Sequence, residues 1–263
     1  MTRVRGGLAM IAVLVAAGMP RAAHANDSEA VLAGGVLTFK KSDGIVMESE
    51  ELTISQYKVE VAYVFRNTTP AEISTRVAFP MAPYSNGEGL PEASDPSWRT
   101  FGHFSVVVDG KPVRYETTAT VDAKTDTVTV IHHWPQIFPA GKALSIKHSF
   151  QPGGSFLFDG GHLDQEMETV LARDYCVGPT LMKAMKKRGM GTVAQVHYIL
   201  KTGANWKGPI GRFVLRIKKE TAAQKSSVCL DGFRKVDART FVLDQTDFVP
   251  TQDLKVAFID LGG

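Results

Sequence analysis

Cysteine is scarce in this sequence: Cys176 and Cys229 are the two present among 263 residues. That count excludes a disulfide-stapled miniprotein, and the lack of a Cys-x-x-Cys or Cys/His cluster argues against a structural zinc site. Long apolar runs are missing too, since no stretch beyond residue 25 reaches the ~18 residues that a membrane-spanning helix needs. Low-complexity tracts are absent, and 44% hydrophobic with 22% charged residues is the composition of an ordinary globular chain. Neither a Gly-x-Ser-x-Gly elbow, a Ser-x-x-Lys set with its supporting motifs, a His-Glu-x-x-His pair nor a phosphate-loop pattern occurs. The sequence therefore assigns no catalytic residue, no cofactor and no metal.

An excess of one charge is also missing once the start of the chain is set aside. Arg3 and Arg5 precede an apolar run from Leu8 to Met19, and Ala23-His24-Ala25 supplies a small-x-small cleavage pattern. Residues 1–25 are thus predicted to be a signal peptide, cut after Ala25 to leave Asn26 first. The leader holds three of the 30 basic residues and none of the 27 acidic ones, so the mature chain carries 27 of each. Such a balance gives nucleic-acid binding no electrostatic support. The charge is unevenly divided: residues 26–155 hold 11 basic and 15 acidic side chains, residues 156–263 hold 16 and 12. The two halves are either solvated surfaces or the poles of a docking molecule.

Period-two alternation runs through most of the chain. Val59, Val61, Tyr63 and Phe65 share one face of a predicted strand, and Lys58, Glu60 and Arg66 the other. Ile73–Phe79, Thr127–Trp134 and Leu144–Phe150 repeat the pattern, and Asp109-Gly110 marks a hairpin between Phe104–Val108 and Pro112–Tyr115. Val36–Phe39 and Ile45–Glu48 read as a shorter pair around Ser42-Asp43-Gly44. After Gln151-Pro152-Gly153-Gly154 the character changes. A helix is predicted from Asp164, as N-cap, to Arg173, and another from Pro179 to Arg188, with Lys183, Lys186, Lys187 and Arg188 making its C-terminal half basic. Strands resume at Val193 and recur to Phe258. The predicted fold is mostly β: two antiparallel sandwich-like units, residues 26–155 and 191–263, joined by a short helical connector over 156–190.

The wording of several segments goes further. Tyr63-x-Phe65-x-Asn67, Val77-Ala78-Phe79-Pro80-Met81, Phe138-Pro139-Ala140-Gly141, His148-Ser149-Phe150, Tyr175-Cys176, the run Thr202–Gly211 and Phe248-x-Pro250-x-x-Asp253-Leu254 together resemble an exported bacterial family, domain of unknown function 4424. The resemblance extends over nearly the whole mature chain and implies a periplasmic protein of mainly β structure. It brings no activity. Tyr63–Met81 is also similar to the strand–Asn–strand–Phe-Pro pattern of vault/inter-alpha-trypsin modules, from which Met81-Ala82-Pro83 departs; that likeness concerns fold alone.

Candidate residues remain to be weighed. In an exported chain Cys176 and Cys229 are expected to form a disulfide, contributing about 4 kcal/mol through loop closure. The alternative is a free Cys176 thiol activated at a helix N-terminus, with His162 or His197 as base. His132 and His133 are adjacent on one strand and point to opposite faces, so they cannot share a metal. His148 is in phase with Leu144, Ile146 and Phe150, and His197 with Val193 and Ile199, as hydrogen-bonded structural histidines are. Two loops are the binding candidates: Tyr84–Thr100, which carries Trp98, and Gly203–Pro209, with Asn205, Trp206 and Lys207. Trp206 either stacks on a sugar, peptide or headgroup or plugs the end of a sandwich. The preferred function is a non-catalytic periplasmic binding or scaffold module whose partner is a periplasmic protein, a glycan or a cell-envelope component. Its rivals are a periplasmic hydrolase or transferase with a dispersed acid–base site, and a membrane- or wall-associated protein using the basic helix.

Overall fold

The alternation seen in the sequence sorts each strand into an inner and an outer face, and three sheets meet on their inner faces. The structure, a computed structural model, describes residues 27–262 apart from 34–35, 86–101, 123, 126, 153–154, 160–162 and 189. The predicted leader, Trp98 with most of its loop, His162 and the pairs Gly153-Gly154 and Gly160-Gly161 lie outside the described residues. In chain order the strands are β1 (Ser28–Ala33), β2 (Val36–Lys40), β3 (Ile45–Ile54), β4 (Val59–Asn67), β5 (Ile73–Pro80), β6 (Tyr84–Ser85), β7 (Ser105–Val108), β8 (Lys111–Pro112) and β9 (Glu116–Asp122). There follow β10 (Thr127–Phe138), β11 (Ala143–Phe150), β12 (Ser155–Asp159), helices α1 (Gln165–Tyr175) and α2 (Pro179–Arg188), and β13 (Met190–Tyr198). The chain ends with β14 (Ile210–Lys218), β15 (Lys225–Val228), β16 (Arg234–Lys235), β17 (Thr240–Phe248) and β18 (Leu254–Asp260).

One sheet has the order β2-β1-β5-β10-β6, with β9 also on β10; a second runs β16-β17-β14-β3-β4-β11-β7-β8; a third is β12-β13-β18-β15. The mostly β fold with its short helical stretch is as the sequence predicts. The strand pairings add something it does not announce. β14 lies parallel to β3, with Leu215 opposite Leu52, so strands from 26–155 and from 191–263 share the second sheet. Gly211 makes this approach possible, since a Cβ there would stand 2.6 Å from the Glu48 carbonyl oxygen. The expected pairing of 36–39 with 45–48 is corrected. β2 pairs with β1 and β3 with β4, because the 41–44 turn carries the chain from one sheet to another instead of folding it back.

The three inner faces close on one core containing Phe79 and Trp134 of the first sheet, Tyr63, Phe65 and Phe213 of the second, and Tyr198 and Phe258 of the third. Helices α1 and α2 cover the outer side of the third sheet, where Leu171, Tyr175, Met182 and Met185 pack on Val193, Ala257 and Ile259. Asp164 caps α1 by accepting from the Met167 N–H at 2.7 Å. At the other end of α1, Cys176 adopts a left-handed conformation and is bonded to Cys229 beyond β15, which ties the helices to the third sheet. Among the described residues no helix is long and apolar enough to cross a membrane.

Candidate functional site

Titratable side chains collect in two very different settings, and the first is inside the core. His148 points inward with Leu144, Ile146 and Phe150, as its strand phase predicts. Its Nε2 lies 2.9 and 3.0 Å from the carboxylate oxygens of Asp27, and both side chains are 0% exposed. Burial raises the Asp27 pKa, and the neighbouring imidazole pulls it back. Nearby, the Tyr63 and Tyr198 hydroxyls are 2.8 Å apart, and the Tyr198 hydroxyl donates to Glu50 at 3.0 Å. Glu50 faces inward because of a bulge. Up to Met47 the inward residues of β3 are odd-numbered, and past the register shift at Met47/Ser49 they are Glu50, Leu52 and Ile54. Burial first, then the surrounding acidic groups, pushes both phenols well above the usual tyrosine range.

His132 continues this interior. Its ring stacks on Phe104 at 4.3 Å, and its Nδ1 is 2.9 Å from the Thr117 hydroxyl. Burial, then His148 and His133, lowers its pKa to about 3, so it is neutral at physiological pH. An Asp–His pair is the beginning of a general base, but a base must come within hydrogen-bond reach of a substrate. With both side chains closed off, the pair instead fastens the first residue before β1 into the core. His133 and His197 are likewise engaged, by Arg76 at 2.7 Å and by the Tyr175 hydroxyl at 2.6 Å.

The second setting is an end of the sheets where three turns meet. Residues 201–205 form a short 3-10 turn, and Trp206 follows in an extended conformation. Trp206 is 1% exposed, its ring 4.6 Å from Phe65, and its indole N–H donates to the Asp27 carbonyl at 2.6 Å. Of its two sequence-based readings, the structure places it as a plug; its faces are taken by core rings and are not open to a ligand. Asn205 is a clasp. Its side-chain amide donates to the Ser28 hydroxyl at 3.1 Å, and its carbonyl accepts from the Ser42 N–H at 2.7 Å. Lys207 donates its backbone N–H to Ile45 at 2.9 Å, while its exposed ammonium reaches the Thr68 hydroxyl at 3.2 Å. Asn67 fixes the neighbouring turn: its buried amide donates to the Ala71 and Phe138 carbonyls and accepts from the Thr69 N–H.

Beside these turns lies a depression of about 380 Å³ lined by Glu29, Lys40, Lys41, Ser42, Asp43 and Thr69, among others. Glu29 is buried at its floor, accepting from Ser42 at 3.0 Å with Lys40 at 3.7 Å. The site thus presents charges of both signs and hydroxyls on a pinned backbone, which suits a polar ligand. Of the sequence candidates, Asn205 and Lys207 are brought to this end, Trp206 is placed beneath it, and Trp98 lies outside the described residues. Sequence reasoning missed Glu29, Lys41 and the Asp27–His148 pair; only the inward phase of His148 pointed toward any of them. Among the described residues no group of three His, Cys, Asp or Glu side chains is arranged to hold a metal ion.

A family model described as Domain of unknown function (DUF4424) matches residues 25–131 and 122–257. No curated protein matches the sequence. In fold the chain is similar to a crystal structure of a "putative nutrient binding protein" from Legionella pneumophila subsp. pneumophila str. Philadelphia 1. The TM-score is 0.54 at 17% identity, covering 89% of this chain and 70% of that one. An M1 zinc metallopeptidase from Deinococcus radiodurans aligns at TM-score 0.36 and 12% identity, over 83% of this chain and 43% of that one. This chain thus spans less than half of the peptidase.

Proposed function

The chain belongs to the DUF4424 family, and from that premise we propose that it is exported to the periplasm and binds or scaffolds, without catalysis, a polar component of the cell envelope. Export is supported by the leader pattern of residues 1–25 and by the Cys176–Cys229 disulfide, which an oxidising compartment favours. The observation that carries the binding role is the convergence of turns 41–44, 67–72 and 201–209, locked to one another beside a depression that the first two line. A backbone fixed in this way loses little freedom when a ligand arrives. Lys207 and Lys41 offer charge to the ligand, and Asn205 holds the turn that presents Lys207. The fold likeness to the "putative nutrient binding protein" is compatible with this role.

The test is an NMR titration of the mature chain with soluble muropeptides and with neutral oligosaccharides as probes. Shifts are expected at Lys40–Gly44, Thr68–Thr75 and Asn205–Lys207, and Lys41→Glu combined with Lys207→Glu should weaken them about tenfold. Absence of perturbation at these residues overturns the site. Conversion of a probe, read by mass spectrometry, overturns the non-catalytic part and restores the hydrolase or transferase reading.

A further inference from the structure

Elsewhere on the surface, three lysines of the C-terminal half of the chain, Lys219, Lys225 and Lys235, gather around one depression. Lys219 directly follows β14, is 7% exposed, and places its ammonium 5.8 Å from the ring centroid of Phe241. That ammonium donates to the Ala222 carbonyl at 3.0 Å, one acceptor for a group with three N–H donors. Burial, and then Lys225 and Lys235, holds its pKa below the usual lysine value. None of these three lysines makes an ion pair with a described residue. A buried charge normally has a partner of opposite sign, so this arrangement is incomplete by itself.

All three line a depression of about 490 Å³, and among the described residues that line it none is acidic. The carboxylate of Asp260 is engaged by Gln224, whose amide donates to it at 3.0 Å. Leu181 and Ala184 of α2, with Phe241 and Leu261, give the depression an apolar side, while Thr180, Gln224 and Ser226 add polar groups to its lining. The basic half of α2 extends the same field. Lys183 and Lys187 stand three residues beyond the lining residues Thr180 and Ala184, on the same side of the helix. Lys186, by contrast, is spent on Glu168 at 2.5 Å.

We propose that this depression binds one amphipathic anion, a carboxylate or phosphate headgroup on a short apolar chain, with Lys219, Lys225 and Lys235 around the headgroup and Leu181, Ala184 and Phe241 along the chain. The site shares no lining residue with the depression at the end of the sheets and does not depend on the role proposed there. Charge complementarity selects the headgroup, and the apolar wall rejects a bare ion.

Calorimetric titration of the mature chain with monomeric decyl phosphate and decanoate tests the inference, with inorganic phosphate and decanol as controls. One anion per chain should bind, with both controls about tenfold weaker or worse. Lys219→Met should lose about tenfold in affinity. The exposed double variant Lys225→Gln/Lys235→Gln should do the same, and it keeps the test valid should Lys219→Met fail to fold. The proposal is overturned if decyl phosphate does not bind, binds no better than inorganic phosphate, or binds the double variant as tightly as the wild type. Binding to vesicles of anionic phospholipid without binding of monomeric decyl phosphate also overturns it, because the occupant would then be a bilayer surface.

Discussion

The Asp27–His148 cluster and the Lys219 depression both hold polar groups away from water, yet they differ in one respect. In the interior both buried carboxylates have a hydrogen-bonding partner: Asp27 lies against the His148 imidazole, and Glu50 accepts from the Tyr198 hydroxyl. Around Lys219 the described charged residues that line the depression, Lys225 and Lys235, carry the same sign, and the space between them opens to solvent. The outer face of the second sheet makes a third reference point. There Arg216 pairs with Glu51 at 3.0 Å and Arg212 with Asp244 at 2.8 Å, so an exposed, heavily charged surface is nevertheless neutralised pair by pair. Burial and charge density therefore do not by themselves mark a binding surface. What distinguishes one is charge left uncompensated beside an opening, since only there does a ligand add an interaction that the protein cannot make alone.

The interior half of this contrast breaks most visibly at Trp206. Trp206→Ala removes a fully buried indole from between Phe65 and Phe138 and frees the Asp27 carbonyl. The expected loss is about 3–5 kcal/mol, the usual range for a buried tryptophan truncated to alanine. Urea unfolding followed by circular dichroism measures it. A loss below about 1 kcal/mol would mean that the residue is not core, and the recognition role for its ring would return.

His132 sharpens the same side of the comparison through pH. Its folded pKa is lowered to about 3, below its ordinary value of 6.5, so beneath pH 6.5 the unfolded chain takes up a proton that the folded chain refuses. The stability due to its neutral form is complete above pH 6.5 and is lost as pH falls from there toward 3, by about 1.4 kcal/mol per unit. His133 and His197, also lowered chiefly by burial, act in the same direction, and Asp27, raised by burial, acts against them. His132→Asn keeps a polar group near Thr117 but does not titrate. Stability curves of variant and wild type should run parallel above pH 6.5 and converge below it. Curves parallel down to pH 4.5 would show that His132 is not held neutral.

Much of this fold was legible because alternation is a local property. The strand faces of Val59–Phe65 and Leu144–Phe150, the cap at Asp164 and the start of α2 at Pro179 each depend on residues within one strand or one turn. What was not legible depends on distance. Nothing near Gly211 says that Glu48, 163 positions earlier, lies against it, and nothing near Asp27 announces His148. Glu50 was hidden for a subtler reason: a single bulge inverts the phase of β3, so simple alternation counted from Ile45 puts it on the wrong face. At the end of the sheets the sequence singled out the loop 203–209 as a candidate, but it did not show the division of labour within it. Trp206 and Lys207 are neighbours with opposite fates, because the extended backbone at Trp206 sends one side chain inward and the next outward.

Lys207→Ala carries the smallest expected effect and tests that division directly. The ammonium is exposed and its contact is a single hydrogen bond to Thr68, while the backbone N–H that holds the turn to Ile45 survives the substitution. Stability should therefore stay within about 0.5 kcal/mol of wild type in the same urea experiment that registers Trp206→Ala. On the proposed binding role, muropeptide shifts at Lys40–Gly44 should weaken even so, because the lost group is exposed at this end of the molecule and is not part of the core. If Lys207→Ala instead destabilises the chain by more than about 1 kcal/mol, the ammonium belongs to the clasp with Asn205. The outward member of the pair would then be structural as well, and the open charge at this end of the molecule would fall to Lys41, since Lys40 pairs with Glu29.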